Sequence, residues 1–227
     1  MSRFERLDIY KIIYSEGMIP LFYSEDKDEA LKIAKALYEG GSHILEFTNR
    51  GEAALIVFSH LINSASKTLK NMVIGAGTIT DAPTAAIFIA LGADFIVGPN
   101  FDEETARLCN KKRIAYIPGA ATVNEIIKAE EFGAELIKVF PGTTVGGPKF
   151  IDAIKGPLPK TRLMPTGGVN IEEANLREWF KSGVSCVGMG SQLISKKLML
   201  EKDYKTITEL TKNALKIINF LKNSSTV

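Results

Sequence analysis

The chain has 227 residues, of which 45% are hydrophobic and 24% charged. This composition is typical of a folded globular protein and excludes a disordered chain. Lys and Arg number 28 and Asp and Glu 26, a net charge of +2, so the sequence lacks the positive field that attracts nucleic acid. The longest apolar stretch, residues 85–93, is far shorter than the ~20 residues of a membrane span. We expect neither nucleic acid nor a membrane as a partner.

The first residues alternate charged and apolar side chains and lack the apolar core and cleavage site of a signal peptide, which predicts a cytoplasmic protein. The two cysteines, Cys109 and Cys186, lie far apart, without a CxxC motif or a neighbouring histidine. This spacing predicts neither a disulfide framework nor a zinc site. Since no Asp and His set has the spacing of metal ligands either, we expect no metal and no cofactor.

In chain order, short apolar runs alternate with longer stretches of 3.6-residue periodicity, separated by Gly, Pro, Asn or Asp. The predicted strands are 18–22, 43–48, 71–76, 94–98, 113–117, 135–140, 161–165 and 185–189. The predicted helices are 27–39, 52–66, 81–91, 102–111, 122–132, 148–155, 172–182 and 204–222, after an extra helix near 3–16. Helix starts are indicated by Asp81, Asp102 and Thr122, and helix ends by Gly40, Gly92, Gly133 and Gly183.

Eight such strand and helix units predict a single (β/α)8 TIM barrel of parallel strands, with the extra helix in the N-terminal segment, about residues 1–16. A second possible fold is an open doubly wound sheet, which usually has about five or six strands and an early phosphate loop. Here the strongest glycine clusters follow the seventh and eighth strands, which favours the barrel. No linker or second composition zone divides the chain, so we predict one domain over residues 1–227.

One lysine and one glutamate stand inside predicted strands, whose two faces should both be buried. In 135–140 the alternation sends Ile137 and Val139 to the helix layer and Lys138 into the barrel. Burying an unpaired ammonium costs on the order of several kcal/mol. Lys138 is therefore either a structural lysine that snorkels or pairs with an acid, or an amine that attacks a carbonyl as a Schiff-base nucleophile.

Glu46 is placed in the same way within 43–48, near the carboxyl end of its strand, where the active sites of barrels lie. It is either an ion-pair partner of Lys138 or Arg50, or a general base. Arg50, in the following loop, could clamp a carboxylate bidentately or be an ordinary surface arginine. Thr78 ends the segment GAGT and offers a hydroxyl to a ligand oxygen.

Two late glycine clusters, PTGGV (165–169) and GMGS (188–191), follow the seventh and eighth predicted strands. Loops at those two positions of a barrel frequently form a phosphate site from backbone N–H groups. Each cluster alone is weak, because glycine is common in turns. Together they predict a phosphorylated ligand.

These two clusters and four further segments resemble the motifs of the class I KDPG/KHG aldolases and occur along the chain in the same order as in that family. The family acts on 2-dehydro-3-deoxy-6-phosphogluconate and 4-hydroxy-2-oxoglutarate. The segments are LEFTNR (45–50), GAGT (75–78), IPGAAT (117–122), IKVFPG (137–142), PTGGV (165–169) and GMGS (188–191). The resemblance spans about residues 10–200. It implies a (β/α)8 barrel, usually a homotrimer, that needs no metal and cleaves a 2-keto-3-deoxy sugar acid phosphate to pyruvate and glyceraldehyde 3-phosphate. It extends to cleavage of 4-hydroxy-2-oxoglutarate to pyruvate and glyoxylate.

The resemblance also implies a role for each matching residue. Lys138 forms the Schiff base, Glu46 accepts and donates protons, Arg50 and Thr78 hold the pyruvate carboxylate, Phe140 packs by the imine, Thr166 meets a sugar hydroxyl, and Gly167, Gly168, Gly190 and Ser191 receive the phosphate.

Departures from the family pattern leave one polar contact and the sugar epimer of the substrate open. Many relatives carry a basic residue near the end of the first strand, where this chain has Tyr23 and Ser24. The segment GPN (98–100) is similar to the branch that acts on the galactonate epimer, whereas Thr166 favours the gluconate epimer. A sugar-phosphate isomerase or epimerase would share the late glycine loops but would not need Lys138. A non-catalytic sugar-phosphate-binding barrel would keep the glycines and could lose Glu46.

Overall fold

A computed structural model describes residues 2–224, so residues 1 and 225–227 of the predicted domain lie outside the described part. The described residues form ten α-helices and nine β-strands. The helices are α1 (Arg6–Glu16), α2 (Lys27–Glu39), α3 (Ala54–Thr68), α4 (Ala82–Leu91), α5 (Glu103–Lys112), α6 (Val123–Glu131), α7 (Gly147–Lys155), α8 (Glu173–Lys181), α9 (Lys196–Leu200) and α10 (Tyr204–Ser224). The strands are β1 (Met18–Phe22), β2 (Ile44–Thr48), β3 (Val73–Gly77), β4 (Phe95–Val97), β5 (Ala115–Ile117), β6 (Gly119–Ala120), β7 (Ile137–Val139), β8 (Leu163–Pro165) and β9 (Val187–Met189).

The structure confirms all eight predicted strands and all nine predicted helices, and it adds two short elements, β6 and α9. β6 continues the fifth predicted strand beyond Pro118, which has no backbone N–H for a strand ladder and so interrupts the pairing. α9 has five residues, too few to show a helical period in the sequence.

The strands pair in parallel throughout, in a six-stranded sheet of order β5-β4-β3-β2-β1-β9 and a three-stranded sheet of order β6-β7-β8. An isolated parallel bridge between Thr166 and Gly188 links the ends of β8 and β9. The result is an α/β fold with a curled parallel sheet. In the register, Glu46 of β2 stands opposite Gly75 of β3, and Lys138 of β7 opposite Gly119 of β6.

Two apolar clusters form the core, one on each face of the sheet. In β2, Ile44 belongs to the inner cluster, whereas Leu45 and Phe47 belong to the cluster under the helices. In β7, Ile137 and Val139 also face the helices. The alternation therefore places Glu46 and Lys138 on the inner face, as predicted. α1 packs Ile9, Tyr10 and Ile13 into the same inner cluster.

Local signals in the sequence account for several helix boundaries. The side chains of Asp81, Asp102 and Thr122 cap α4, α5 and α6 as predicted, and Thr122 forms a capping box with Glu125. Gly40 and Gly92 end α2 and α4, and Gly92 adopts φ 104°, a conformation that favours glycine. Gly133 and Gly183 each follow the capping residue by one position.

The two cysteines are free and buried, as expected for packing residues. Burial raises the pKa of Cys109 to about 12 and also raises that of Cys186. Within residues 2–224, no helix is both long enough and apolar enough to cross a bilayer.

Candidate active site

The side chains of Lys138 and Glu46 lie close together on the inner side of the fold, although β7 and β2 belong to different sheets. The Lys138 ammonium nitrogen Nζ lies 3.7 Å from Glu46 Oε1, and the two side chains are 6% and 1% exposed. Of the two ion-pair partners that the sequence leaves open for Glu46, the structure therefore selects Lys138. The attraction between the two opposite charges offsets part of the free-energy cost of burying each of them.

The carboxylate of Glu46 is not used to hold the scaffold together. Neither of its oxygens has a hydrogen-bond partner among the described residues. It lies against Gly77 of β3, where a Cβ atom would come within 1.8 Å of Oε1, so that only glycine fits there. A buried carboxylate with unused acceptor capacity is unusual in a purely structural role.

A cavity of about 510 Å³ opens above this pair, at the carboxyl ends of the strands. Its wall includes Thr48, two residues after Glu46, and Phe140, two residues after Lys138. Lys138 Nζ lies 5.3 Å from the centroid of the Phe140 ring. Lys138 and Glu46 do not line the cavity themselves but lie two residues below its wall on each strand, and we call this ion pair the floor.

Seven of the ten predicted site residues line this cavity. They are Arg50, Phe140, Thr166, Gly167, Gly168, Gly190 and Ser191. Lys138 and Glu46 lie beneath it, and Thr78 follows Gly77, the last residue of β3, which packs against the Glu46 carboxylate. Sequence positions spread over the whole chain are thus brought to one end of the sheet.

Thr78 and Thr166 have features that are uncommon for threonine in a folded protein: a positive φ angle at Thr78 and an unpaired buried hydroxyl at Thr166. Thr78 adopts φ 60°, a left-handed conformation that is strained for a β-branched residue. Thr166 is buried, and its hydroxyl has no hydrogen-bond partner among the described residues. Gly188 leaves room for that hydroxyl, since a Cβ atom there would come within 2.2 Å of Thr166 Oγ1. Both features are typical of ligand-binding positions.

Four further polar residues line the cavity without having been predicted to bind substrate: Tyr23, Thr48, Gln192 and Lys196. The Tyr23 hydroxyl packs against Gly51, and burial, followed by the charges of Glu25 and Glu52, raises the pKa of Tyr23. Lys196 starts α9, a helix that was not predicted from the sequence. Ser195, a good N-cap residue before this helix, is the signal that could have found it.

The charged side chains of the cavity wall are all positive. Arg50 and Lys196 line it, and none of its lining residues is Asp or Glu. Among residues 2–224, no group of three or more His, Cys, Asp or Glu side chains is arranged to hold a metal ion. The arrangement can bind an anionic small molecule and present it to a buried amine and carboxylate.

The sequence profile of the KDPG and KHG aldolase family matches residues 9–210. The chain is 37% identical to a 2-dehydro-3-deoxy-phosphogluconate aldolase of Pseudoalteromonas atlantica, over 89% of this chain and 92% of that protein. It is 32% identical to the KHG/KDPG aldolase of Escherichia coli, over 90% and 93%. The crystal structure of a KDPG aldolase from Legionella pneumophila, with pyruvate captured as a covalent carbinolamine intermediate, is similar with a TM-score of 0.82. That chain is 30% identical, and the similarity covers 89% of this chain and 96% of that one.

Proposed function

Because the chain belongs to the KDPG and KHG aldolase family, we propose that it is a class I aldolase, a carbon–carbon lyase that works through a Schiff base. Its main substrate is 2-dehydro-3-deoxy-6-phosphogluconate, which it cleaves to pyruvate and glyceraldehyde 3-phosphate. It also cleaves 4-hydroxy-2-oxoglutarate to pyruvate and glyoxylate. One observation carries the proposal: a buried lysine and glutamate, 3.7 Å apart, lie beneath a cavity with cationic walls.

The first step is imine formation at Lys138. Glu46, whose Oε1 lies 3.7 Å from Lys138 Nζ, takes through one bridging water the proton that Lys138 must lose before it attacks. The neutral amine of Lys138 attacks the C2 carbonyl carbon of the substrate and gives a carbinolamine. Glu46 returns the proton to the carbinolamine hydroxyl, which leaves as water, so that an iminium remains on Lys138 and Glu46 is again a carboxylate.

The second step breaks the C3–C4 bond. Glu46, acting directly or through the water released in the first step, takes the proton of the C4 hydroxyl, and C4 becomes the carbonyl carbon of the aldehyde. The electrons of the broken bond move into the iminium and give an enamine. Protonation of the enamine at C3 and hydrolysis of the imine release pyruvate and regenerate Lys138.

The cavity wall provides for the two charged ends of the substrate. Arg50 of the wall, together with Thr78 after β3, holds the carboxylate, next to the carbonyl that Lys138 attacks. Gly167, Gly168, Gly190 and Ser191 receive the phosphate at the other end. Phe140 packs beside the imine, 5.3 Å from Lys138 Nζ. Thr166 donates to or accepts from a sugar hydroxyl, because its own hydroxyl is buried without another partner.

The galactonate epimer is the second candidate substrate, favoured by the GPN segment. Thr166 lines the cavity, whereas Asn100 of the GPN segment does not. This difference supports the gluconate epimer as the preferred substrate. The buried pair of Lys138 and Glu46 argues against a sugar-phosphate isomerase and against a non-catalytic binding barrel, because neither function needs both residues.

The two sheets together form one closed (β/α)8 barrel and one domain. Support comes from the bridge between Thr166 and Gly188, and from Pro118, which separates β5 from β6 within one continuous strand direction. The enzyme is a cytoplasmic homotrimer. Exposed apolar side chains such as Ile56 and Ile87, 71% and 48% exposed, provide a surface for subunit contacts. Light scattering on the purified protein tests this assembly, and a monomer at assay concentration would contradict it.

A coupled pyruvate-release assay tests the function. We expect pyruvate from 2-dehydro-3-deoxy-6-phosphogluconate, less efficient release from 4-hydroxy-2-oxoglutarate, and no loss of rate in EDTA. Abolition of activity by EDTA would indicate a metal-dependent aldolase. If the enzyme releases pyruvate from neither the gluconate nor the galactonate epimer, with or without phosphate, the proposal is wrong.

A further inference from the structure

The positive charges of the cavity wall lie on two different elements. Arg50 follows β2, and Lys196 is the first residue of α9, after β9. Both line the same cavity, which has no acidic lining residue. A sugar acid phosphate also has two charged ends. Arg50 accounts for the carboxylate in the proposed function, and this leaves Lys196 without an assigned ligand.

The backbone after β9 brings Lys196 to the cavity. The carbonyl oxygen of Gly190 accepts hydrogen bonds from the N–H groups of Leu193 and Ile194, each at 2.9 Å. This tight turn reverses the chain. The Ser195 hydroxyl then accepts from Leu198 N at 3.2 Å and starts α9. Lys196 thereby lines the same cavity as Gly190 and Ser191, five residues along the chain from Ser191.

The neighbouring lysine shows what an ordinary lysine does here. Lys197 Nζ lies 4.0 Å from Glu201 Oε1, about one helical turn later, and Lys197 does not line the cavity. Lys196 has no ion pair or hydrogen bond from its ammonium group to any residue within 2–224. Its charge is therefore available to a ligand in the cavity.

We infer that Lys196 is a specificity-determining residue that binds the phosphate dianion of the substrate, alongside the backbone of the two glycine loops. This inference rests on the proposed function and deepens it. The glycine loops offer neutral donors, which an uncharged terminal group could also use. A lysine adds a full charge, and this charge discriminates a phosphate from an unphosphorylated terminus.

Lys196→Ala is the test, with Lys197→Ala as the matched control. Because Lys196 is exposed and partly screened by solvent, we expect kcat/KM for 2-dehydro-3-deoxy-6-phosphogluconate to fall by about 5- to 30-fold, mainly through KM. For 4-hydroxy-2-oxoglutarate, which has no phosphate, kcat/KM should not change. Lys196→Arg should restore most of the loss, and Lys197→Ala should match the wild type on both substrates.

Two outcomes overturn the inference. In one, Lys196→Ala behaves as Lys197→Ala does; in the other, it loses equal activity on both substrates, which would indicate a structural role for Lys196. A wild-type enzyme that releases pyruvate from neither substrate would instead overturn the proposed function.

Equilibrium binding separates these two failures, because it needs no turnover. Titration calorimetry with 3-phosphoglycerate and with glycerate measures the phosphate contribution directly. We expect Lys196→Ala to weaken 3-phosphoglycerate binding and to reduce its dependence on salt, with no effect on glycerate. Equal binding of 3-phosphoglycerate by Lys196→Ala and Lys197→Ala would exclude Lys196 from the phosphate site.

Discussion

The floor and the rim of the cavity are built differently. Glu46 and Lys138 stand on the floor, inside strands, and their side chains are 1% and 6% exposed. Arg50, Ser191 and Lys196 stand on the rim, in loops or at the start of a short helix, and are exposed. Core packing dictates where the floor residues lie, whereas the rim residues depend on loop geometry.

This difference separates chemistry from selectivity. Changes on the floor should affect every substrate equally, because every substrate needs the imine and the proton transfer. Changes on the rim should affect only substrates that carry the group a given residue binds. Substitutions on the floor should therefore have the largest effects on activity.

Lys138→Met should lower kcat by about 10⁵-fold or more on all substrates, since no other group can form the imine. Single-turnover pyruvate release measures this loss. Lys155→Met is the control, because Lys155 is a packed lysine whose ammonium donates to the carbonyl of Thr161 at 2.6 Å, away from the cavity. The control should keep full activity. Substantial activity in Lys138→Met, with the fold intact, would refute its role.

Glu46→Gln should lower turnover by about 10²- to 10⁴-fold, the usual contribution of a general base. The amide fills the same space against Gly77 but cannot carry protons. Folding should be preserved, because glutamine has the same size and shape as the glutamate that it replaces in this buried position. Thermal melting checks this. A collapsed melting transition would show that the ion pair mainly serves stability.

The rim should discriminate by phosphate. We expect kcat/KM for the 6-phosphorylated 2-keto-3-deoxy acid to exceed that for the unphosphorylated sugar acid by at least about 10²-fold, the effect of one or two charge-assisted hydrogen bonds. Coupled pyruvate release with the two substrates measures the ratio. Equal kcat/KM values for the phosphorylated and unphosphorylated substrates would show that the cavity has no phosphate site.

Thr166 lies between the floor and the rim and should produce the smallest effect. Thr166→Val should lower kcat/KM for the gluconate epimer about 10-fold and leave the galactonate epimer unaffected, because one hydrogen bond to substrate is lost. Stability should not fall, since the hydroxyl has no partner within the described protein. The matched control is Thr105→Val, because Thr105 donates to Asp102 at 2.6 Å, and its loss should cost about 1 kcal/mol.

A wild-type enzyme that cleaves the galactonate epimer faster would contradict the role of Thr166. So would a Thr166→Val variant that loses the same fraction of activity on both epimers. The Thr105→Val control should lower the melting temperature without changing the preference between epimers.

Much of the floor could be predicted from sequence. Ile44, Leu45 and Phe47 set a two-residue alternation that determines the face of Glu46, and Ile137 and Val139 do the same for Lys138. The local pattern could not predict the ion pair between Glu46 and Lys138. β2 and β7 belong to different sheets, and only the tertiary fold brings these two side chains together. The sequence therefore left Lys138 and Arg50 as equal partners for Glu46.

Less of the rim could be predicted. The glycine loops were visible, because glycine clusters are a local signal. Lys196 was not, because α9 is only five residues long and its place at the cavity results from the turn at Gly190. The strained conformation of Thr78 also has no signature in the residue type, since threonine rarely adopts φ near 60°. Loop residues such as these are fixed by contacts distant in sequence.

Trapping with borohydride identifies the lysine that forms the imine, which we expect to be Lys138. The wild-type enzyme is incubated with pyruvate and sodium borohydride, and its peptides are examined by mass spectrometry. Reduction of the imine should leave a carboxyethyl group on Lys138 alone, with parallel loss of activity. Trapping on another lysine, or an active enzyme in which Lys138 stays unlabelled, would show that Lys138 is not the Schiff-base residue.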